Sequence, residues 1–181
     1  MNLANKLTLL RIILVPVFVV IFFAGEYNGG ILSACIFIIA AVTDMLDGKI
    51  ARKRGEITDF GKFMDPLADK MLVSVALIAL VDIHRIPVWV AMLIIGRELA
   101  MSGLRIIAAQ KDIIIAASNY GKLKTVFQTV AIGILLFPSS TFIGSGLFYY
   151  AGIVLLYAAV FMTVWSFLEY YLKYRKILFN I

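Results

Sequence analysis

Apolar residues along this chain gather into six long stretches, each closed by a short polar or glycine-rich break. The first runs from about Thr8 to Ala24 with Pro16 inside it, and Gly25-Glu26-Tyr27-Asn28-Gly29-Gly30 separates it from the second, Ile31 to about Arg52. The third begins near Asp59 and reaches Val81, and the fourth opens at Pro87, a residue suited to a helix's first turn, and ends near Ala109. The fifth spans about Asn119 to Phe137 and stops at Pro138-Ser139-Ser140, and the last covers Phe142 to Tyr171. About 20 apolar residues, rising about 1.5 Å each, cross the hydrocarbon of a bilayer. All six stretches approach that length, and the last is long enough to tilt or to project from the membrane. The pattern predicts an all-α integral membrane protein of six transmembrane helices with a short N-terminal juxtamembrane segment. It forms one membrane-embedded domain over residues 1–181, since no Ser/Gly linker and no repeat divides it.

Only the first, fifth and sixth stretches are apolar enough to satisfy a simple hydropathy window; Asp, Arg, Lys or Glu interrupts the other three. An ionised carboxylate inside a span costs a few kcal/mol or more unless it faces protein, water or a cation. The interrupted stretches therefore either bury those groups for a purpose or lie as interfacial hairpins.

Composition supports a membrane solvent. The chain is 62% hydrophobic and 15% charged, against about 45–50% and about 25% in soluble domains, and its mean hydropathy is +0.98. Cys35 is the only cysteine, which excludes a disulfide scaffold, and 13% aromatic content excludes disorder. A net charge of +6 would ordinarily raise nucleic acid as a partner, but the basic residues punctuate apolar segments, so none is expected. The run Ile12 to Ala24 has no small-x-small cleavage site before a polar mature region, and reads as a retained first span. Of the 17 lysines and arginines, all but Arg85 fall on one side of a six-span arrangement. The positive-inside rule then places both termini and that side in the cytoplasm, with the protein multi-pass in the cell membrane.

The second and third stretches carry the chemistry: Asp44-Met-Leu-Asp47-Gly48-Lys-Ile-Ala51-Arg52, then Gly61-Lys-Phe-Met-Asp65-Pro-Leu-Ala-Asp69. Helical residues three or four apart share a face, so Asp44 pairs with Asp47 and Asp65 with Asp69. A short basic connection makes the two helices antiparallel neighbours, and the carboxylates can converge near the cytoplasmic end. Unmodified they would repel one another, so some must be protonated, paired with Lys70 or Arg52, or bound to metal. An all-oxygen set without His or Cys favours Mg²⁺ or Mn²⁺ over zinc, and two such ions about 3.5–4 Å apart are the usual device for in-line displacement at phosphorus. Gly48 and Gly61 would let a bulky group approach the backbone, although small residues also serve helix packing in membranes. Asp44 lies roughly 7 Å below Lys49 along a helix, just under the headgroups.

These residues match, at all eight fixed positions (Asp44, Asp47, Gly48, Ala51, Arg52, Gly61, Asp65 and Asp69), the signature Asp-x2-Asp-Gly-x2-Ala-Arg-x8-Gly-x3-Asp-x3-Asp. On that match the chain resembles the CDP-alcohol phosphatidyltransferases, six-helix membrane enzymes that are usually homodimers. Asn5-Lys-Leu-Thr8-Leu-Leu-Arg11-Ile, Asp65-Pro-Leu-Ala-Asp69-Lys70, Gly96-Arg97-Glu98 and Gly121-Lys122-Leu-Lys124-Thr125 are similar to the phosphatidylglycerophosphate synthase branch. The likeness runs from about Asn5 to Trp165. It implies the CDP-alcohol phosphotransferase fold, CDP-diacylglycerol as donor, glycerol 3-phosphate as acceptor, membrane lipids as surroundings, and two divalent ions, Mg²⁺ or Mn²⁺.

Carried over residue by residue, the resemblance makes Asp44, Asp47, Asp65 and Asp69 metal ligands, with Asp69 also the catalytic general base. A carboxylate beside a dication has a depressed pKa, which makes the base role the weaker of its two. Gly48, Ala51, Arg52 and Gly61 would line the cytidine diphosphate site, with Arg52 on a phosphate. Asn5, Thr8 and Arg11 could touch the diphosphate, though Thr8 could equally be a helix N-cap. A dianionic acceptor needs fixed cations, for which Arg97, Arg105, Lys122 and Lys124 are the candidates, each singly also explicable as a lipid-headgroup contact. Glu98 would orient Arg97.

His84, beside Asp82 and Arg85 in an external loop, reads as solvated and non-catalytic, and Cys35 as a packing residue. Trp89, Trp165 and the tyrosines at 149–150, 157, 170–171 and 174 fit interface belts and packing. Two other readings stay in view. A sister enzyme would share the signature but take another acceptor, as cardiolipin synthase or phosphatidylinositol phosphate synthase does. A divalent-cation transporter is opposed by the placing of the acids toward one face and by the lack of acidic partners on the later spans.

Overall fold

The computed structural model describes the backbone at residues 3–24, 30–54, 59–110, 119–138 and 145–179. Side chains are described from residue 9 onward within those stretches, apart from 44–63, 65, 66, 69, 119, 120, 122, 145 and 176–179. Among the described residues there are six helices and no strand: α1 (Leu3–Ala24), α2 (Ile31–Arg54), α3 (Asp59–Asp82), α4 (Val88–Gln110), α5 (Asn119–Leu136) and α6 (Ser145–Phe179).

The helices coincide with the apolar stretches, with two differences at the ends. α1 begins at Leu3, so the expected juxtamembrane segment is its first turns rather than a separate lead-in. Thr8 therefore lies inside the helix, and the N-cap reading of it is corrected. α6 runs on to Phe179, 35 residues in all. That is about 50 Å at 1.5 Å per residue, well over the roughly 30 Å of hydrocarbon. Among the described residues it alone holds a stretch long and apolar enough to cross a membrane by length and composition, Gly146–Arg175. The expectation that the first and fifth stretches also qualify falls partly on residues whose side chains lie outside the described ones. Among the described residues, α1, α2 and α5 carry shorter apolar parts, Leu9–Ala24, Ile31–Thr43 and Leu123–Leu136.

α1 packs on α2 and α3, α5 on α6, α2 and α3, and α4 on α3 and α6. Their shared core joins Phe18 and Phe22 to Phe37, Leu77, Leu80, Ile94, Ile132 and Leu156, all essentially buried. The outer surface is also apolar. Every helix exposes large hydrophobic side chains, among them Phe23, Ile39, Ile78, Met92, Val130 and Phe161. Soluble proteins rarely show contiguous apolar surface of this extent.

One end of the bundle is closed by the α3–α4 turn. His84 N–H reaches Val81 O at 2.9 Å and Arg85 N–H reaches Leu80 O at 2.9 Å, with His84 at φ 56°. This is the Schellman ending, in which the left-handed residue is usually glycine. Arg85, expected only as an outer-loop charge, folds back onto the end of α5. Its guanidinium donates to Leu135 O at 2.5 Å and to Phe137 O, while Tyr149 Oη donates to Arg85 O at 3.3 Å. Burial pushes the Arg85 pKa down from its ordinary value, and Tyr149 opposes that shift.

The closest inter-helix approach recorded at a glycine lies between α5 and α6. A Cβ on Gly152 would meet Leu135 Cγ at 2.9 Å and Ile134 Cγ2 at 3.0 Å. Gly152→Ala gains about 1 kcal/mol of helix propensity but overpacks the contact by about 1–3 kcal/mol. We expect a lower melting temperature in detergent. Gly103→Ala, where nothing lies within 4 Å among the described residues, should not lower it.

Candidate active site

The signature falls on two helices in contact: Asp44, Asp47, Gly48, Ala51 and Arg52 on α2, and Gly61, Asp65 and Asp69 on α3. The backbone is helical through all eight, so their spacings of three and four are helical spacings. Their side chains lie outside the described residues, as do those of Asn5, Thr8 and Lys122. Among the described residues no three His, Cys, Asp or Glu gather in a way that could hold a metal. The chemistry of the donor set itself, four carboxylates and no nitrogen or sulfur ligand, fits a hard divalent cation.

Immediately after Asp69, the described side chains form a polar layer across the bundle. Lys70 on α3 donates to Ser102 Oγ on α4, and Ser102 Oγ donates to Glu98 O at 2.7 Å. Lys124 on α5, 1% exposed, places its Nζ against Glu98 Oε1. Arg97 Nη1 stands 3.8 Å from the same oxygen, and Arg97 Nη2 donates to Ser166 Oγ on α6 at 2.7 Å. α4 is thus tied to α3, α5 and α6, and its partner on α3, Lys70, directly follows Asp69 in the chain.

Among the expected acceptor cations, then, Arg97 and Lys124 are brought together around Glu98, while Arg105 is exposed. Glu98, expected to orient Arg97, lies closer to Lys124. Among the described residues Arg97 Nε is buried without a hydrogen-bond acceptor, a donor that an anion's oxygen would satisfy. Arg11, 2% exposed, points into the bundle rather than to its surface. Two members of the layer, Ser102 and Ser166, were not singled out from sequence. Isolated polar residues in an otherwise apolar helix, one of them four residues after Glu98, were the signal available.

The family model for CDP-alcohol phosphatidyltransferase matches residues 1–165, most of the chain. The chain belongs to the CDP-alcohol phosphatidyltransferase family. As a CDP-alcohol phosphatidyltransferase it is an enzyme, and the family works with divalent metal ions. It is 44% identical to the CDP-diacylglycerol–glycerol-3-phosphate 3-phosphatidyltransferase of Bacillus subtilis (strain 168), over 95% of this chain and 94% of that protein. It is 43% identical to a probable phosphatidylglycerophosphate synthase of Mycobacterium tuberculosis (strain ATCC 25618 / H37Rv), covering 93% and 79% respectively. A Salmonella typhimurium relative with the same name as the Bacillus one is 42% identical over 93% of this chain and 92% of its own length.

Proposed function

We propose that this phosphatidyltransferase transfers the phosphatidyl group of CDP-diacylglycerol to glycerol 3-phosphate, giving phosphatidylglycerophosphate and CMP in phospholipid biosynthesis. The observation that carries the choice of acceptor is the gathering of Arg97 and the buried Lys124 around the Glu98 carboxylate, on helices that pack against the signature helix α3. Two cations against one anion leave a net positive pocket, which suits a phosphorylated alcohol better than a neutral one. Relatives named for this reaction at 42–44% identity over nearly the whole chain support the same reading.

In this mechanism the acceptor's free hydroxyl oxygen attacks the lipid-linked phosphorus, the bond from that phosphorus to the CMP oxygen breaks, and CMP departs. Asp44, Asp47, Asp65 and Asp69 would hold two divalent ions, Mg²⁺ or Mn²⁺. Bound there, the ions neutralise the diphosphate and lower the barrier to charge build-up on it. Asp69 takes the hydroxyl proton. Gly48, Ala51, Arg52 and Gly61, with Asn5 and Thr8, line the CDP-lipid site, where Arg52 pairs a phosphate. Arg97, Arg105, Lys122 and Lys124 hold the acceptor's phosphate. Fixing the acceptor at one end and the nucleotide at the other makes the attack effectively unimolecular.

All six helices span the membrane in this reading, in a homodimer with both termini and the site facing the cytoplasm. Large apolar side chains exposed on every helix support it, since only lipid is a favourable solvent for them all.

Purified protein given CDP-diacylglycerol, glycerol 3-phosphate and Mg²⁺ should release CMP, and EDTA should stop the release until Mg²⁺ or Mn²⁺ is restored. CMP release that requires phosphatidylglycerol or inositol phosphate instead would overturn the acceptor assignment. Release undiminished by EDTA would overturn the metal assignment.

A further inference from the structure

Between α3, α4 and α5, behind the polar layer, lies a small cavity of about 50 Å³. Among the described residues its lining includes Lys70, Ser74, Glu98, Thr125 and Gln128 on the polar side, with Val73, Ile94 and Ile95 opposite. Gln128 is 3% exposed, and its Oε1 is buried with no hydrogen-bond partner among the described residues. A buried amide oxygen left in that state is costly, and native structures satisfy such groups with protein or with water. Thr125 Oγ1 spends its hydrogen on Gly121 O at 3.1 Å, which leaves its lone pairs to accept.

We infer that this cavity is a hydration site holding one or two water molecules, which donate to Gln128 Oε1 and bridge it to Lys70 and Glu98. The volume is enough for one or two waters, and a water needs the two to four polar partners this lining supplies. An ion fits poorly. The Lys70 ammonium disfavours a cation, while the Glu98 carboxylate and the small volume disfavour a phosphate-sized anion. The bridge joins the residue that follows Asp69 to the carboxylate that holds Lys124, so it positions both without touching the reacting atoms. The hydration site stands on the cavity and on Gln128; its effect on turnover rests on the acceptor reading above.

The test compares wild type with Gln128→Met, which keeps the length of the side chain and removes the acceptor. In an experimental structure resolving solvent, density is expected in the cavity within hydrogen-bonding distance of the Gln128 amide. The Met variant should melt about 2–4 °C lower and show a several-fold higher KM for glycerol 3-phosphate, with KM for CDP-diacylglycerol little changed. A dry cavity, or a Gln128 amide turned onto a protein donor, would overturn the site. So would a Met variant that melts higher than wild type, because removing a truly orphaned acceptor relieves its cost. An unchanged acceptor KM would overturn the positioning role. Wild-type turnover on glycerol 3-phosphate separately decides the acceptor reading, so failure of one is not mistaken for failure of the other.

Discussion

Asp47→Asn is expected to lower the rate of CMP release by about 10³-fold or more while leaving the protein folded. The substitution keeps size and polarity and removes one negative charge from the proposed metal-binding set. Loss of a single preorganised electrostatic contact at a reacting centre already costs about 10²–10³ in kcat, and a weakened metal adds to that. The folded state should not suffer. Without metal, four carboxylates gathered as proposed would repel one another, so the variant should melt at or above the wild-type temperature in EDTA. Added Mg²⁺ or Mn²⁺ should raise the wild-type melting point, because a ligand at 100 times its Kd stabilises by about 2.7 kcal/mol. The variant should show little of that rise. Unaltered turnover in Asp47→Asn, or an equal metal-dependent rise in both proteins, would remove Asp47 from the metal set.

How far the sequence discloses the molecule depends on whether a feature is local. The helices were legible because each is a continuous apolar stretch between glycine or proline breaks, as at Gly29-Gly30 and Phe137-Pro138. The signature was legible because its residues sit at helical spacings within two adjacent helices. The start of α1 was misplaced because Asn5 and Lys6 look like a polar lead-in, although they continue the same helix. The polar layer was legible only in its charges. Arg97, Glu98 and Lys124 could be named, but their pairing spans 26 residues of chain, and the nearer neighbour suggested Arg97 as the partner of Glu98. Arg85 shows the same limit. Its charge suggested topology alone, whereas its contacts with Leu135 and Phe137 come from a helix 50 residues away. Nothing in the local sequence around Gly152 marks it as the place where α5 crosses α6; only the packed pair does.

Glu98→Leu should be among the most destabilising single substitutions in the chain, and its rescue separates structure from substrate binding. Lys124 is 1% exposed, and Glu98 Oε1 lies directly against its ammonium. Removing one partner of a fully buried ion pair costs about 3–5 kcal/mol, because the remaining charge stays desolvated; with Lys124 buried but the Glu98 side chain 23% exposed, the loss falls toward the lower end of that range. Replacing both by apolar residues of similar size is often neutral, so Glu98→Leu with Lys124→Met should recover most of the lost melting temperature. Activity should not recover with it. If Lys124 serves the acceptor's phosphate, the double variant keeps its fold and its KM for CDP-diacylglycerol, while KM for glycerol 3-phosphate stays at least about tenfold raised, the effect of about 1.4 kcal/mol of lost binding. A Glu98→Leu protein that melts with wild type would show that the pair contributes nothing to the fold. A double variant that regains both stability and acceptor KM would assign Lys124 to the scaffold and leave the phosphate to Arg97, Arg105 and Lys122.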